Sequence, residues 1–190
     1  RQAELVGVEI IIVDNTAMEF STILAQACPG LRVETDTQIL ESHGRDWSDL
    51  PFISPSAVVF PESTEQVRQL VVAAAENGIP LVPSGGRTGL SGGATCLDKE
   101  VVVSFDRMRK VLDYSAVDRT VTVEPGVVTQ AVQSFAAEKG LYYPVSFASE
   151  GSSQIGGNIA TNAGGIRVVR YGLTRERVAG LKVVTGRGDV

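Results

Sequence analysis

Long apolar runs, clustered basic residues, histidine and cysteine are all scarce in this 190-residue chain, and each scarcity removes a class of function. The longest aliphatic run, Ile10-Ile11-Ile12-Val13, stops at Asp14-Asn15, well short of the ~18–20 residues that a spanning helix needs. Seventeen Lys and Arg stand against 22 Asp and Glu, a formal charge of -5. The basic residues are scattered, which argues against nucleic acid or an anionic membrane as the main partner. Cys28 and Cys96 form no metal-ligand spacing and are expected as buried, reduced thiols of a cytoplasmic protein. The single histidine, His43, is expected at the surface, and no metal site is expected. Arg1-Gln2-Ala3-Glu4 carries neither an initiator Met nor the basic start of a leader peptide, so a fragment of a longer protein is expected.

What the chain has is glycine, 20 residues of it, concentrated in two stretches between well-marked elements. Residues 1–52 read as a lead-in: Val6, Val8, Ile10 and Ile12 alternate as a strand would, and a helix is expected over residues 17–27, stopped by Cys28-Pro29-Gly30. The polar stretch that follows is too poor in apolar residues to build a core. From Pro55 the signals sharpen. Ala57-Val58-Val59-Phe60 reads as a strand, and Ser63 three residues before Gln66 reads as a capping box. Val67, Leu70, Val71 and Ala74 form a helical stripe that Gly78 ends, and strands follow at residues 79–82 and 101–103. Strand, helix, strand implies a right-handed crossover and parallel pairing. Near residue 110 the character changes. A hairpin is expected around Ser115-Ala116-Val117-Asp118-Arg119, then a helix with Val128, Ala131, Val132 and Phe135 inward and Gly140 at its end. Residues 178–185 read as a further strand entering a Gly-Arg-Gly-Asp turn.

The first glycine stretch, "PSGGRTGLSGGA" at residues 83–94, leaves the end of a parallel strand, where open α/β sheets bind ligands. Gly85, Gly86, Gly89, Gly92 and Gly93 let successive N–H groups line one concavity of the kind that binds phosphate. Ser84, Thr88 and Ser91 add hydroxyls, and Arg87 offers either charge neutralisation or a solvated surface side chain. A Walker A loop requires Lys then Ser or Thr after its last glycine, and a Rossmann fingerprint requires glycines at i, i+2 and i+5. Neither stretch satisfies either pattern. In the second stretch, "GSSQIGGNIATNAGG" at residues 151–165, Asn158, Thr161 and Asn162 offer amides and a hydroxyl to a ring edge, or simply cap turns.

Taken together, "SAVVFPESTEQV", "VPSGGRTGLSGGA", "TVEPGV", "YPVSFASEGSSQIGGNIATNAGGIRVVRYG" and "GLKVVTGRGDV" resemble, in order, the FAD-binding domain of the vanillyl-alcohol-oxidase-type flavoproteins. Within that superfamily the chain is most similar to the FAD-linked D-2-hydroxyacid dehydrogenases: D-2-hydroxyglutarate and D-lactate dehydrogenases and the glycolate oxidase catalytic subunit. The resemblance implies an α+β fold with two lobes, a small parallel βαβ lobe and then a mainly antiparallel lobe with helices. It implies a division into residues 1–52 as lead-in and 53–190 as an FAD-binding domain that stops short of the family's full length. Ser84, Gly85, Gly86, Arg87, Thr88, Gly89, Leu90, Ser91 and Gly92 then wrap the pyrophosphate. Pro125, Gly126, Ser152, Gly156, Gly157, Asn158, Thr161, Asn162, Ala163, Gly164 and Gly165 line the rest of the dinucleotide. Arg87-Thr88 stands where some relatives attach FAD through histidine, so non-covalent FAD is expected.

By the same resemblance the parent oxidises a D-2-hydroxy acid to a 2-oxo acid by hydride transfer to flavin and passes electrons to a quinone or an electron-transfer flavoprotein. It is cytoplasmic or peripheral to the inner face of the membrane, and homodimer formation stays open. The family's substrate domain, with its catalytic base and metal site, is expected beyond Val190, so no catalytic residue is assigned and the segment alone is expected to be inactive. The alternatives are another flavoenzyme on this fold, such as a UDP-N-acetylenolpyruvylglucosamine reductase or an aldonolactone oxidase, or a non-catalytic nucleotide-binding module.

Overall fold

The computed structural model describes residues 15–190, with side chains from Glu19 onward. The strand expected from Val6, Val8, Ile10 and Ile12 lies outside them. The described elements begin with α1 (Asn15–Ala27), β1 (Arg32–Glu34), α2 (Thr37–His43), β2 (Ala57–Phe60), α3 (Thr64–Glu76), β3 (Leu81–Ser84) and β4 (Val101–Ser104). They continue with β5 (Val111–Ser115), β6 (Thr120–Val123), α4 (Thr129–Glu138), α5 (Ile155–Ala160), α6 (Val168–Tyr171) and a 3₁₀ turn, Thr174–Arg177.

Neither β2 nor β4 has an exposed position. Near-continuous apolar strands of this kind need cover on both faces, as in parallel sheets flanked by helices. The sheet order is β1-β2-β4-β3, with β2 and β3 each parallel to β4 and β1 antiparallel to β2. The expected parallel crossover is present, but β2 and β3 are not neighbours, because β4 lies between them. The two fully buried strands, β2 and β4, take the interior positions, while β3, whose Pro83 has no N–H to donate, takes an edge. On one face, Ala57, Val59, Val101 and Val103 pack with Leu70, Ala73 and Ala74 of α3 and with Leu24, Cys28 and Leu31. On the other, Val58, Phe60 and Val102 pack with Cys96 and with Ile39 and Leu40 of α2. The later part of residues 1–52 thus supplies side chains to both layers and a strand to the sheet.

Helix α3 starts and stops as its sequence dictates. The Ser63 hydroxyl accepts the Gln66 N–H at 3.2 Å, while the Gln66 side chain accepts from Glu62, one residue before the expected partner. At the other end Gly78 is left-handed (φ 64°) and the Ile79 N–H reaches the Ala74 carbonyl at 2.8 Å, a Schellman closure.

Past Lys110 a second layer begins. Strands β5 and β6 pair antiparallel, and the Ser115 hydroxyl and Asp118 carboxylate close the hairpin turn at 2.8 Å. Val127, Val132 and Ile155 form this lobe's core with Val121, Val123, Tyr143 and Ile159. Helix α4 buries Thr129 and Val132, whereas Ala131 is exposed against expectation. The inward face is rotated toward Thr129 because its hydroxyl is bonded to Ser153 and Asn158.

Residues 178–185 form no strand. Backbone N–H and C=O groups make a strand only beside a partner, and none lies there among the described residues. Leu181 and Val183 are exposed. The turn after them does form, with the Gly188 N–H on the Thr185 carbonyl at 2.9 Å. No helix among the described residues is long and apolar enough to cross a membrane.

Candidate cofactor site

Strand β3 delivers Ser84 to the carboxyl edge of the sheet, fully buried, its hydroxyl directed at the His43 carbonyl at 3.4 Å. That hydroxyl faces the protein, so Ser84 meets any ligand through its backbone. Beyond it the loop runs close to the second glycine stretch. A Cβ on Gly86 would overlap the Ser152 carbonyl oxygen and stand 2.8 Å from Ser153 Cα, so the two backbones are in direct contact there. Arg87 follows in the left-handed region (φ 56°), its guanidinium donating back to the Gly85 carbonyl at 3.0 Å. Thr88 is half-buried, while Gly89, Leu90 and Ser91 are exposed at the tip.

Residues 46–50 pin that tip. The Trp47 N–H donates to the Gly89 carbonyl at 2.9 Å, and Leu50 fills the space where a Gly92 side chain would stand. The Asp46 carboxylate accepts from the Ser48 N–H at 2.9 Å, the Thr95 hydroxyl at 2.9 Å and the Ala94 N–H at 3.4 Å. Burial alone would raise its pKa, but these hydrogen bonds outweigh it and hold the carboxyl below its ordinary value.

The second stretch opens α5. Gly156 donates to the Pro125 carbonyl at 2.8 Å, and a Cβ there would stand 2.8 Å from the Pro125 ring. Gly126 donates to the Met108 carbonyl at 2.8 Å, in a space where a Cβ would overlap the Phe105 carbonyl. Residues 84–86, Pro125, Gly126, Ser152 and Gly156 are therefore one assembly. Asn158 is buried with its amide donating to Thr129 at 2.6 Å, and the Thr161 hydroxyl donates to the Gly157 carbonyl at 2.9 Å. Asn162 is left-handed (φ 50°) and accepts from the Arg175 N–H at 3.0 Å. These polar side chains shape the turn, leaving backbone groups to face a ligand. Ala163, Gly164 and Gly165 stand on different neighbours: Thr174, Leu173 and Ser146 respectively.

Four residues that sequence reasoning passed over, or placed elsewhere, meet beneath the first loop. Asp106, two residues past β4, accepts from His43 Nε2 at 3.2 Å, Arg109 Nη2 at 2.5 Å and Gln154 Nε2 at 2.7 Å. Arg87 stands 3.6 Å from the same carboxylate. Burial opposes ionisation of Asp106, but the His43 and Arg109 hydrogen bonds and the two guanidinium charges hold it well below the usual carboxylate range. His43, expected at the surface, is half-buried with its ring edge-on to Phe60. Nothing in its sequence neighbourhood signals this. Asp106 did carry a signal, since it follows a buried parallel strand at the same sheet edge as the glycine loop.

A family model described as an FAD binding domain matches residues 55–190. A D-2-hydroxyglutarate dehydrogenase of Stutzerimonas stutzeri (strain A1501) is 58% identical over 162 residues, 85% of this chain and 35% of the relative. A D-2-hydroxyglutarate dehydrogenase of Xanthomonas citri pv. viticola is 55% identical over 167 residues, 88% of this chain and 35% of the relative. The chain thus spans about a third of the length of these relatives. A solved alkyldihydroxyacetonephosphate synthase superposes with a TM-score of 0.73 over 84% of this chain and 34% of its own, at 22% identity, a likeness of fold.

Proposed function

The chain belongs to the FAD binding domain family, and on that premise we propose that it is the cofactor-holding part of a flavin-dependent dehydrogenase. The parent protein oxidises a D-2-hydroxy acid, D-2-hydroxyglutarate or D-lactate, to the 2-oxo acid. Relatives carrying the hydroxyglutarate name over 85% and 88% of the chain support that substrate class. We take residues 53–190 as the FAD-binding domain, with residues 1–52 as the segment leading into it.

Gly157 is the observation that carries the assignment of the site. Most glycines here have an internal reason: Gly86 and Gly126 press on a neighbouring carbonyl, and Gly92 is left-handed. Gly157 has none. It is exposed, lies within a helix, adopts an ordinary φ and would meet no atom within 4 Å if it carried a Cβ. Glycine in a helix costs about 1 kcal/mol relative to alanine, and the close approach of a ligand to its backbone accounts for accepting that cost. Gly93, equally exposed and open on the first loop, fits the same account.

Residues 84–92 would hold the pyrophosphate, and Pro125, Gly126, Ser152, residues 156–158 and 161–165 the remainder of FAD. When bound, the flavin supplies the electron-pair acceptor that no side chain here provides. The chain's own residues bind and orient: the glycine backbones set the distance of approach, and residues 46–50 hold the loop tip in place. Arg87, turned to Gly85 and Asp106, and Thr88 stand where a linking nucleophile would be needed, which supports dissociable FAD. The binding site for the acid would be completed by parts of the protein outside this chain, the electron acceptor being a quinone or an electron-transfer flavoprotein and a second copy a further partner. Both described cysteines are free thiols, which supports a cytoplasmic protein, whether or not it rests on the inner face of the membrane.

The test uses the full-length protein. It should show a flavin absorption spectrum, release all flavin to the supernatant on acid precipitation, and reduce a dye with the D-acids. A protein with no flavin spectrum and no thermal shift on adding FAD overturns the proposal, and flavin retained in the precipitate overturns its non-covalent part.

A further inference from the structure

The two glycine stretches meet backbone to backbone at Gly86 and Ser152, and the site assigned above needs both in one register. One half-buried charge reaches both. Asp106 Oδ1 accepts from Gln154, the residue that caps α5, and from Arg109 of its own turn. Its Oδ2 faces His43 of α2 and Arg87 of the first loop. A carboxylate accepts only, so Gln154 must present its Nε2 to Asp106. The other end of that amide, Oε1, is then buried without a hydrogen-bond partner, in a residue only 3% exposed. A buried unpaired acceptor is costly. That cost is retained where Gln154 lies under Gly85, whose Cβ would stand 3.4 Å from Oε1. Arg87 is held on the other side, in a left-handed conformation uncommon for a non-glycine residue. Gln154 and Arg87 thus brace opposite loops against one carboxylate.

We propose that Asp106 is a positioning residue for the FAD site: through Arg87 and Gln154 it sets the register of the first glycine loop over the second. The proposal rests on the flavin assignment. Asp106 touches no cofactor in this account. Arg87 meets a ligand through its backbone, its guanidinium being held by Gly85 and Asp106, so the penalties of removing the two braces are coupled rather than independent.

The experiment measures FAD affinity on full-length apoprotein by flavin fluorescence quenching, beside the melting temperature of each apoprotein. D106N keeps the shape but removes the charge, and should weaken FAD binding about tenfold or more. R87A and Q154A should each weaken it, and R87A/Q154A should stay within about twofold of the worse single variant. In the D106N background neither substitution should add more than about twofold. The visible circular dichroism of bound flavin should change alike in D106N and R87A/Q154A, a signature that general loss of stability would not copy. If D106N fails to fold, the Arg87–Gln154 cycle in the Asp106 protein decides alone. Penalties that multiply, or D106N binding FAD as the wild type does, overturn the proposal. Wild-type protein that takes up no FAD overturns the flavin assignment as well, which separates the two failures.

Discussion

Glycines that look alike in the sequence differ in what replaces their missing side chain. At Gly86 the space is filled by the backbone of Ser152 and Ser153; at Gly157 it is empty. G86A should therefore drive the loops apart, lowering apoprotein stability by about 1–3 kcal/mol as overpacking does, and abolish FAD binding. G157A should do the opposite to the apoprotein, raising its stability by about 0.5–1 kcal/mol through helix propensity while weakening FAD binding. Melting temperature and FAD titration on the same samples read both, and unchanged FAD affinity in G157A would remove that residue from the site. The thiols give a second check. Burial first, then the Glu100 carboxylate, push Cys96 up to about 12, and Cys28 is raised by burial and by Glu65. Since the thiolate is the reactive form, neither should be alkylated by iodoacetamide at neutral pH until the protein is unfolded. Labelling of the native protein, followed by mass, would contradict their placement.

Among the elements, α3 shows how much local chemistry settles in advance. Its Ser63 cap and its stop at Gly78 are legible in order and realised, and its stripe in part: Leu70 and Ala74 are buried, Val67 and Val71 only half-buried, and Ala73 joins the buried face. S63A should remove the hydroxyl that accepts the Gln66 N–H and cost about 1 kcal/mol, seen as a lower denaturant midpoint with an unchanged slope. An unchanged midpoint would mean that Gln66 alone, bonded to Glu62, secures the helix start. Element identity was legible wherever turns and periodicity are local, as in the Ser115–Asp118 hairpin. It failed at residues 178–185, where apolar alternation promises a strand but a strand exists only if another lies alongside. It also failed at Ala131, where a polar network around Thr129, not hydrophobic period, chose the inward face of α4.

At the scale of the molecule, the carboxylates that tie segments together give the chain a shared response to acid. Asp106 and Asp46 are both held below their ordinary 3.8, each by hydrogen bonds that outweigh burial. The folded protein therefore binds these protons less readily than the unfolded chain does. Their stabilisation is complete above the ordinary carboxylate range and is lost as pH falls through it toward the depressed values. Stability measured from pH 7 downward should fall below about pH 4, and D106N should flatten that fall, whereas an identical profile in D106N would show that Asp106 is not among the linked groups.

Helices α1, α3 and α4, the hairpin, the two glycine stretches and the family were legible in the amino-acid order, because caps, turns and backbone approach depend on neighbours a few residues away. Helices α2, α5 and α6 were not, and it took the folded chain to put β4 between β2 and β3 and to stand His43 against Asp106. The fold also sets Gln154 and Arg87 as braces of facing segments across one half-buried charge. Those pairings join residues 63, 48 and 19 positions apart. No local rule selects such partners; burial of both faces of the sheet brings them to one edge, and the charges are then paired where they arrive.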